Sequence, residues 1–552
     1  MSIRALLSSR LAAMMTRAAF GIACLSLAAC ALQQPPATAS GRTLFARGLH
    51  DIANLYLQPI SSSRLARSGI AQLLRLDGKL AVTDTTRAPF GNVLSLSYNG
   101  QEVAFFAAPP ESDSGRWGDL VADMAAAAKR ASPRIAAVPQ ETIDTAVFDG
   151  MTAPLDRFSH YSPPEIAREQ RAERDGFGGI GVTLDTEDNL LRVTAVTPQG
   201  PAAAAGIRPE DQIIAIDGVA TAGRSPPDII HRLRGPIDSA IAITIRHPGT
   251  TPSELQLHRA DVAARNVTMS RDGNIAVFRV ASFNRSTARR VATGLAQAER
   301  PAGAPLAGIV LDLRGNPGGL LDQAVGLADL FIRNGPIVAT VGRNPASRQY
   351  FAAVGDSMAP SLPLVVLING GSASASEIVA AAFQDLRRAV VIGSSSYGKG
   401  TVQTVLRLPN DGELTVTWAR LVTPTGYLLQ THGVVPTVCT ADLPDDATGF
   451  DAGLQRIAAV AAAASGAGPA PPPRVALDEA AWSALRRACP PRHNAPSLDL
   501  QLAERLIADP ALYSEALHAL PAAATLADGE SAVGAADRAL TDVDHALSSH
   551  SH

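Results

Sequence analysis

Short apolar runs closed by glycine, serine or asparagine recur through the second half of the chain and predict buried strands at Ile275–Val280, Leu306–Leu313, Leu364–Ile368 and Ala389–Ile392. Leu414–Leu421 alternates apolar and polar residues and predicts a further strand. Elsewhere the apolar spacing is helical: Leu44 to Leu76, with Leu49, Ile52, Leu55 and Tyr56 on the pattern, then Ile143–Leu155, Ile378–Gln384, Trp482–Ala488 and Leu498–Ile507. Val93–Phe106 alternates around Tyr98-Asn99-Gly100 and predicts a hairpin, because Asn-Gly favours tight reversals; extra packing surface is its plainest role.

The densest chemistry lies from Leu362 to Gln403. The strand at Leu364–Ile368 runs into the small-residue turn G-S-A-S-A-S-E (Gly371–Glu377), and the strand at Ala389–Ile392 runs into Y-G-K-G-T (Tyr397–Thr401). A serine between two alanines at a strand-to-helix turn has an uncrowded hydroxyl, and the unpaired N–H groups of the helix start stabilise negative charge. Ser374 is therefore a candidate nucleophile. It needs a base, and parallel strands around one helix bring Lys399 to the same sheet edge. A lysine acts as a base only when neutral, which demands an apolar setting; Val390, Val391 and Ile392 are the candidates to supply it. Taken singly, Ser374 reads first as a helix cap and Lys399 as a solvated surface residue.

Their combination resembles the carboxyl-terminal processing proteases, serine peptidases with a Ser-Lys dyad and an inserted PDZ domain. The resemblance is carried by G-I-V-L-D-L-R-G-N-P-G-G-L (Gly308–Leu320), N-G-G-S-A-S-A-S-E-I (Asn369–Ile378), Y-G-K-G-T-V-Q-T (Tyr397–Thr404) and F-G-G-I-G-V (Phe177–Val182), and extends from about Asp144 to Val438. It implies Ser374 as nucleophile, Lys399 as general base and Gln403 as the residue that positions the lysine. It also implies an α/β protease core of the crotonase-like or ClpP-like kind. L-D-R-F-S-H-Y (Leu155–Tyr161) resembles the family's L-D-P-H-S-x-Y but has Arg157 and Phe158 in place of the proline and histidine.

Within the PDZ-like unit, Gly178, Gly179, Ile180 and Gly181 are expected to form the loop whose N–H groups hold a C-terminal carboxylate, with the next strand accepting the peptide by β-addition. G-I-R-P-E-D-Q-I-I-A-I-D-G (Gly206–Gly218) matches the family's second PDZ block, with Glu210 where glycine is usual. Gly315-Asn316-Pro317-Gly318-Gly319 follows a buried strand, and small residues there let N–H groups converge on an anion. An N–H from Gly318 or Gly319, with that of Ala375, is the expected oxyanion hole. Asp312 and Arg314 read as a turn-ordering pair. His160 and His432 raise a Ser-His-Asp alternative, but neither lies in a motif that places it near Ser374. No spacing suits a metal and no phosphate loop is present, so neither metal nor organic cofactor is expected.

At 552 residues with a formal charge of −3, the chain is long enough for about three or four units and has no electrostatic bias toward nucleic acid. Arg4, Arg10 and Arg17 precede the apolar run Ala18–Ala29, too short for a membrane span and suited to a secretory leader. The run ends in Leu-Ala-Ala-Cys, resembling a lipoprotein cleavage box, so Cys30 is the expected lipidation site, the alternative being an ordinary signal peptide with a chance cysteine; with Ala31 rather than aspartate next, the resemblance to sorted lipoproteins implies an outer-membrane anchor facing the periplasm. In that oxidising compartment Cys439 and Cys489 form either a disulfide tying the tail to the core or two free thiols.

The expected order is leader 1–29, tether 30–43, an N-terminal helical region 44–165 with the hairpin, PDZ domain 166–262, protease core 263–440, helical extension 441–521 and frayed tail 522–552. The reading is a lipid-anchored serine endopeptidase taking polypeptides with accessible C-termini; the family resemblance adds a homo-oligomer and an adaptor protein as expected partners. Two alternatives stand: an inert PDZ scaffold that binds peptides, and a serine hydrolase of non-protein substrates on the same fold.

Overall fold

The computed structural model describes residues 41–175, 178–187, 190–198, 200–235, 238–261, 266–299, 305–465 and 477–518. The leader, Cys30, Phe177, the Gly466–Arg474 linker and the tail from Ala522 lie outside them.

The chain forms two compact units, the smaller holding residues 41–53, 61–154 and 407–414. Its helices Gly41–Leu55, Ser62–Leu74, Ser114–Ala131 and Gln140–Thr152 accompany a three-stranded antiparallel sheet, Leu80–Arg87, Gly91–Tyr98 and Gln101–Ala107. Asn99 and Gly100 turn the expected hairpin at φ 50° and 78°, the left-handed pair that a two-residue reversal requires. The strand Leu80–Arg87 joins it although its burial is confined to one end, so its sequence carries no inward alternation to announce it. Phe45 and Phe148 meet at a centroid distance of 5.9 Å in the core of this unit. The expected boundary at 44–165 shifts: residues 54–60 and 155–165 belong to the larger unit. There the Leu57 N–H donates to Thr417 O at 2.9 Å, and the Asp156 N–H donates to the Tyr56 hydroxyl at 3.0 Å.

The larger unit contains a six-stranded sheet in the order Val267–Asp272, Ile275–Val280, Gly308–Asp312, Leu364–Ile368, Val390–Gly393 and Val438–Cys439. The first pair is antiparallel and all later pairs are parallel. Both faces are covered, which is why the strands read as unbroken apolar runs. Leu364, Val366 and Ile368 pack into a core with the helices Thr287–Glu299, Leu321–Asp329 and Ala375–Asp385. Val365 and Leu367 face the other way, onto Leu498, Leu502, Leu506 and Ile507. Each of these fully buried side chains contributes about 1.5–3 kcal/mol relative to exposure. The C-terminal extension is thus the second layer of the sheet, and the expected division at 440 does not separate two packing units.

A second sheet, Gln349–Ala352, Pro336–Val341, Glu413–Val422 and Thr401–Arg407, carries the chain onward from Lys399. The PDZ-like unit has its own sheet, ordered Ser253–His258, Ala240–Arg246, Gln212–Ile216, Leu190–Val196 and Val182–Glu187, around Ile180, Val193, Ile216, Ile229 and Ile243. Glu210 stands at φ 76°, a left-handed position that explains the usual glycine, and its carboxylate accepts a hydrogen bond from Arg192 at 3.0 Å.

Candidate active site

The turn after Leu364–Ile368 is laced to the glycine turn after Gly308–Asp312. The Ser372 hydroxyl donates to Leu313 O at 2.8 Å, the Ser376 hydroxyl to Asn316 O at 2.9 Å, and the Ala373 N–H to Asn316 O at 3.0 Å. Two of the three turn serines are therefore spent on structure. Ser374 is partly exposed and sits at φ 55°, ψ −112°, immediately before the helix Ala375–Asp385. This conformation costs a side-chain-bearing residue about 1–3 kcal/mol and persists only when its surroundings dictate it. The dictating group is Glu377, whose Oε2 accepts the Ser374 N–H at 2.7 Å.

Glu377 is fully buried and reaches further. The same Oε2 accepts the Lys399 N–H at 2.9 Å, while Oε1 accepts the Gly398 N–H at 2.6 Å and the Ser396 hydroxyl. Burial raises the Glu377 pKa against these hydrogen bonds, which favour the carboxylate. Lys399 is depressed below the ordinary lysine range, first by desolvation and further by Arg157, with Glu377 and Asp156 acting in the opposite direction. The expected apolar wall of Val390, Val391 and Ile392 is committed to the cores on the two sheet faces. The apolar group found at the lysine is instead Phe158, whose ring centroid lies 4.9 Å from Nζ. Among the described residues no hydrogen bond joins Lys399 Nζ to Ser374 Oγ; such contacts in unliganded sites commonly tighten only around substrate.

Gly318 and Gly319 lie at φ 102° and 145°, and a Cβ on Gly318 would come within 2.7 Å of Ala373 O and 2.8 Å of Ser374 Cβ. Only glycine brings the two turns this close. The Gly318 N–H is already taken by Asn316 Oδ1 at 2.8 Å. The N–H groups of Gly319 and Ala375 have no hydrogen bond among the described residues. Of the two glycines, Gly319 is the one left with a donor to offer.

Gln403 donates through Nε2 to the Thr401 and Thr417 hydroxyls, each at 3.0 Å. The Thr417 hydroxyl donates in turn to Asp156 at 3.0 Å, so Gln403 reaches the loop that carries Phe158. In the PDZ-like unit Gly178 exchanges backbone hydrogen bonds with Gly235 at 2.8 and 3.0 Å, Ile180 O accepts from Ala202, and Gly181 O accepts from Thr197. The strand that follows this loop, Val182–Glu187, ends the sheet path and pairs on one side only among the described residues.

Asp312 and Arg314 form a paired turn at 2.9 Å, and Arg314 continues to Asp499 at 3.1 Å. His432 stacks on Trp482 at 4.7 Å and bonds through its ring nitrogens to Leu428 O and Glu479; His160 bonds to Phe158 O.

The extension braces the site from behind. Arg492 O accepts the Gly370 N–H at 2.6 Å, and Cys489 O accepts the Ser395 hydroxyl at 2.6 Å. Arg486 donates to His432 O at 2.6 Å and to Ser396 O at 3.1 Å. Cys439 and Cys489 are joined by a disulfide. Sequence reasoning missed Glu377, Phe158 and Arg486 as parts of the site. Glu377 had a local signal, since Ser374-Ala375-Ser376-Glu377 is a capping-box spacing; the other two have none.

Residues 274–440 match the description of peptidase family S41, and residues 192–247 match that of the PDZ domain. The carboxy-terminal-processing protease of Bartonella bacilliformis is 38% identical over 320 residues, 57% of this chain and 73% of that one. The carboxyl-terminal-processing protease of Synechocystis sp. is 37% identical over 299 residues, 52% of this chain and 69% of that one. Among solved structures, the photosystem II D1 C-terminal processing protease shares 25% identity, with 72% of this chain and 92% of that one covered at a TM-score of 0.37, too loose a superposition to add a fold argument. The chain belongs to the carboxyl-terminal processing proteases, serine-type endopeptidases of family S41 that carry a PDZ domain.

Proposed function

We propose that this protease works as a periplasm-facing enzyme anchored to the outer membrane by lipidated Cys30, captures unstructured polypeptide C-termini on its PDZ domain, and cleaves with a Ser374–Lys399 dyad. Neutral Lys399 takes the Ser374 proton as Oγ attacks the peptide carbonyl. The N–H groups of Gly319 and Ala375 receive the developing oxyanion. The departing amine leaves with the proton held by Lys399, and water then hydrolyses the acyl-enzyme with the lysine again as base. The sheet with helices on both faces supports the reading of the core as crotonase-like or ClpP-like.

The observation that carries this reading is the sharing of one buried carboxylate oxygen by the backbones of Ser374 and Lys399. It fixes two residues 25 positions apart against each other, which a helix cap and a solvated lysine would not require. The test compares wild type, Ser374→Ala and Lys399→Ala on an unfolded protein with an apolar C-terminus, reading fragments by mass spectrometry. Cleavage that disappears in both folded variants supports the dyad. Undiminished cleavage in either refutes it, and tail binding without cleavage by wild type favours the inert scaffold.

A further inference from the structure

The loop Asp156-Arg157-Phe158 departs from the family pattern at Arg157 and Phe158, and Phe158 lies beside Lys399. Its backbone is fixed: Asp156 Oδ1 accepts the N–H groups of Phe158 at 2.8 Å and Ser159 at 3.2 Å, and the Thr417 N–H donates to the Ser159 hydroxyl at 3.0 Å. So held, the half-buried Phe158 ring lies beside Lys399 Nζ at 4.9 Å, and the Arg157 guanidinium lies 4.8 Å from the same ring and 5.7 Å from that of Tyr397. One aromatic ring thus has two basic groups near it, the Arg157 guanidinium and the Lys399 amine.

We propose that Phe158 and Arg157 are positioning residues for Lys399, the ring shielding its amine from water and the guanidinium disfavouring a second positive charge on the same ring. The inference rests on the dyad reading and deepens it. An ammonium beside an aromatic face is attracted to it, which alone would favour the protonated lysine. Desolvation acts against this and leads the causes that depress Lys399. The charged groups acting on Lys399 are Glu377 and Asp156, which favour the ammonium, and Arg157, which opposes it. Arg157 is exposed and makes its described contacts only with rings, so its removal leaves the fold intact.

The test measures the rate at which a fluorophosphonate probe labels Ser374 as a function of pH, at low ionic strength, in wild type, Arg157→Gln, Arg157→Lys, Phe158→Leu and Phe158→Ala. The rate should climb with pH as Lys399 loses its proton. Arg157→Gln should move that climb to higher pH, Arg157→Lys should restore it, and added salt should shrink the difference. Phe158→Ala should move it the same way, whereas Phe158→Leu, still apolar, should stay near wild type. Coincident profiles for wild type, Arg157→Gln and Phe158→Ala, with Lys399→Ala unlabelled, would overturn this inference and leave the dyad standing. A wild-type profile retained by Lys399→Ala overturns the dyad reading and this inference with it.

Discussion

The N–H groups of Ser374 and Lys399 end on the same oxygen of Glu377, at 2.7 and 2.9 Å. Glu377→Gln keeps the volume but gives one side of the group two hydrogens to place among donors. Either the Ser374 and Lys399 amides or the Gly398 amide and Ser396 hydroxyl then lose their acceptor. The expected outcome is a folded protein about 1–3 kcal/mol less stable, with kcat reduced about 100-fold or more and tail binding unchanged. Denaturant melts, cleavage kinetics and tail-peptide titration check it; wild-type kcat would remove Glu377 from the site's architecture.

Gly318→Ala should act on the chemistry more than on binding. The added methyl would press on Ala373 O and Ser374 Cβ, and the backbone lies at a φ that side chains avoid. Displacing the glycine turn from the Ser374 turn should lower kcat by about 100- to 1,000-fold, the range for losing an oxyanion donor, with KM within a few-fold of wild type. Steady-state kinetics separate the two parameters.

Lys399→Met should stabilise the protein at neutral pH. The folded-state pKa of Lys399 is depressed, so below the ordinary lysine value the unfolded chain holds a proton that the folded chain has released. Stability linked to this group is complete above the unfolded pKa of about 10.4 and is lost as pH falls through the depressed one. Methionine carries no such penalty. Thermal melts of wild type and variant should therefore differ most near neutrality and converge as pH rises past the ordinary lysine range; parallel curves would contradict the burial described.

Cys489→Ser should weaken both fold and activity. The disulfide closes a 50-residue separation, for which loop-closure entropy gives about 4 kcal/mol as an upper expectation. The same segment holds the Ser395 hydroxyl through Cys489 O and the Gly370 amide through Arg492 O. Melts and cleavage assays with and without reductant test this together: wild type should lose Tm and kcat on reduction, and Cys489→Ser should be insensitive to it.

How much of this was readable beforehand divides along the chain. Ser374 and Lys399 were legible because each closes an apolar run with small residues, a local signal of a strand meeting a turn. The helix after Ser374 begins at Ala375, three residues before its apolar spacing does, because Ala-Ser-Glu carries no hydrophobic pattern. Phe158 was illegible as a neighbour of Lys399: the contact spans 241 residues and depends on Asp156 and Thr417 folding a loop across a different sheet. The extension's helices were visible as apolar spacing, but no pattern within them says that their face belongs to Val365 and Leu367 rather than to a separate domain. Val390 to Ile392 misled for the complementary reason. A strand buried on both faces looks like a wall for any neighbour, while its side chains are already occupied.

The brace behind the Ser374 and Lys399 turns also imposes a timetable on synthesis. Residues 156–158, 316–319, 374 and 399 leave the ribosome before Arg486, Cys489 and Arg492, which hold a carbonyl, a hydroxyl and an amide behind them. A nascent chain halted short of these residues carries Ser374, Gly319 and Lys399 while its Lys399 turn lacks the Arg486 anchor and one sheet face is bare. Competence to cut thereby waits on residues made well after both turns, which couples the Ser374 and Lys399 turns to the packing of the sheet's second face.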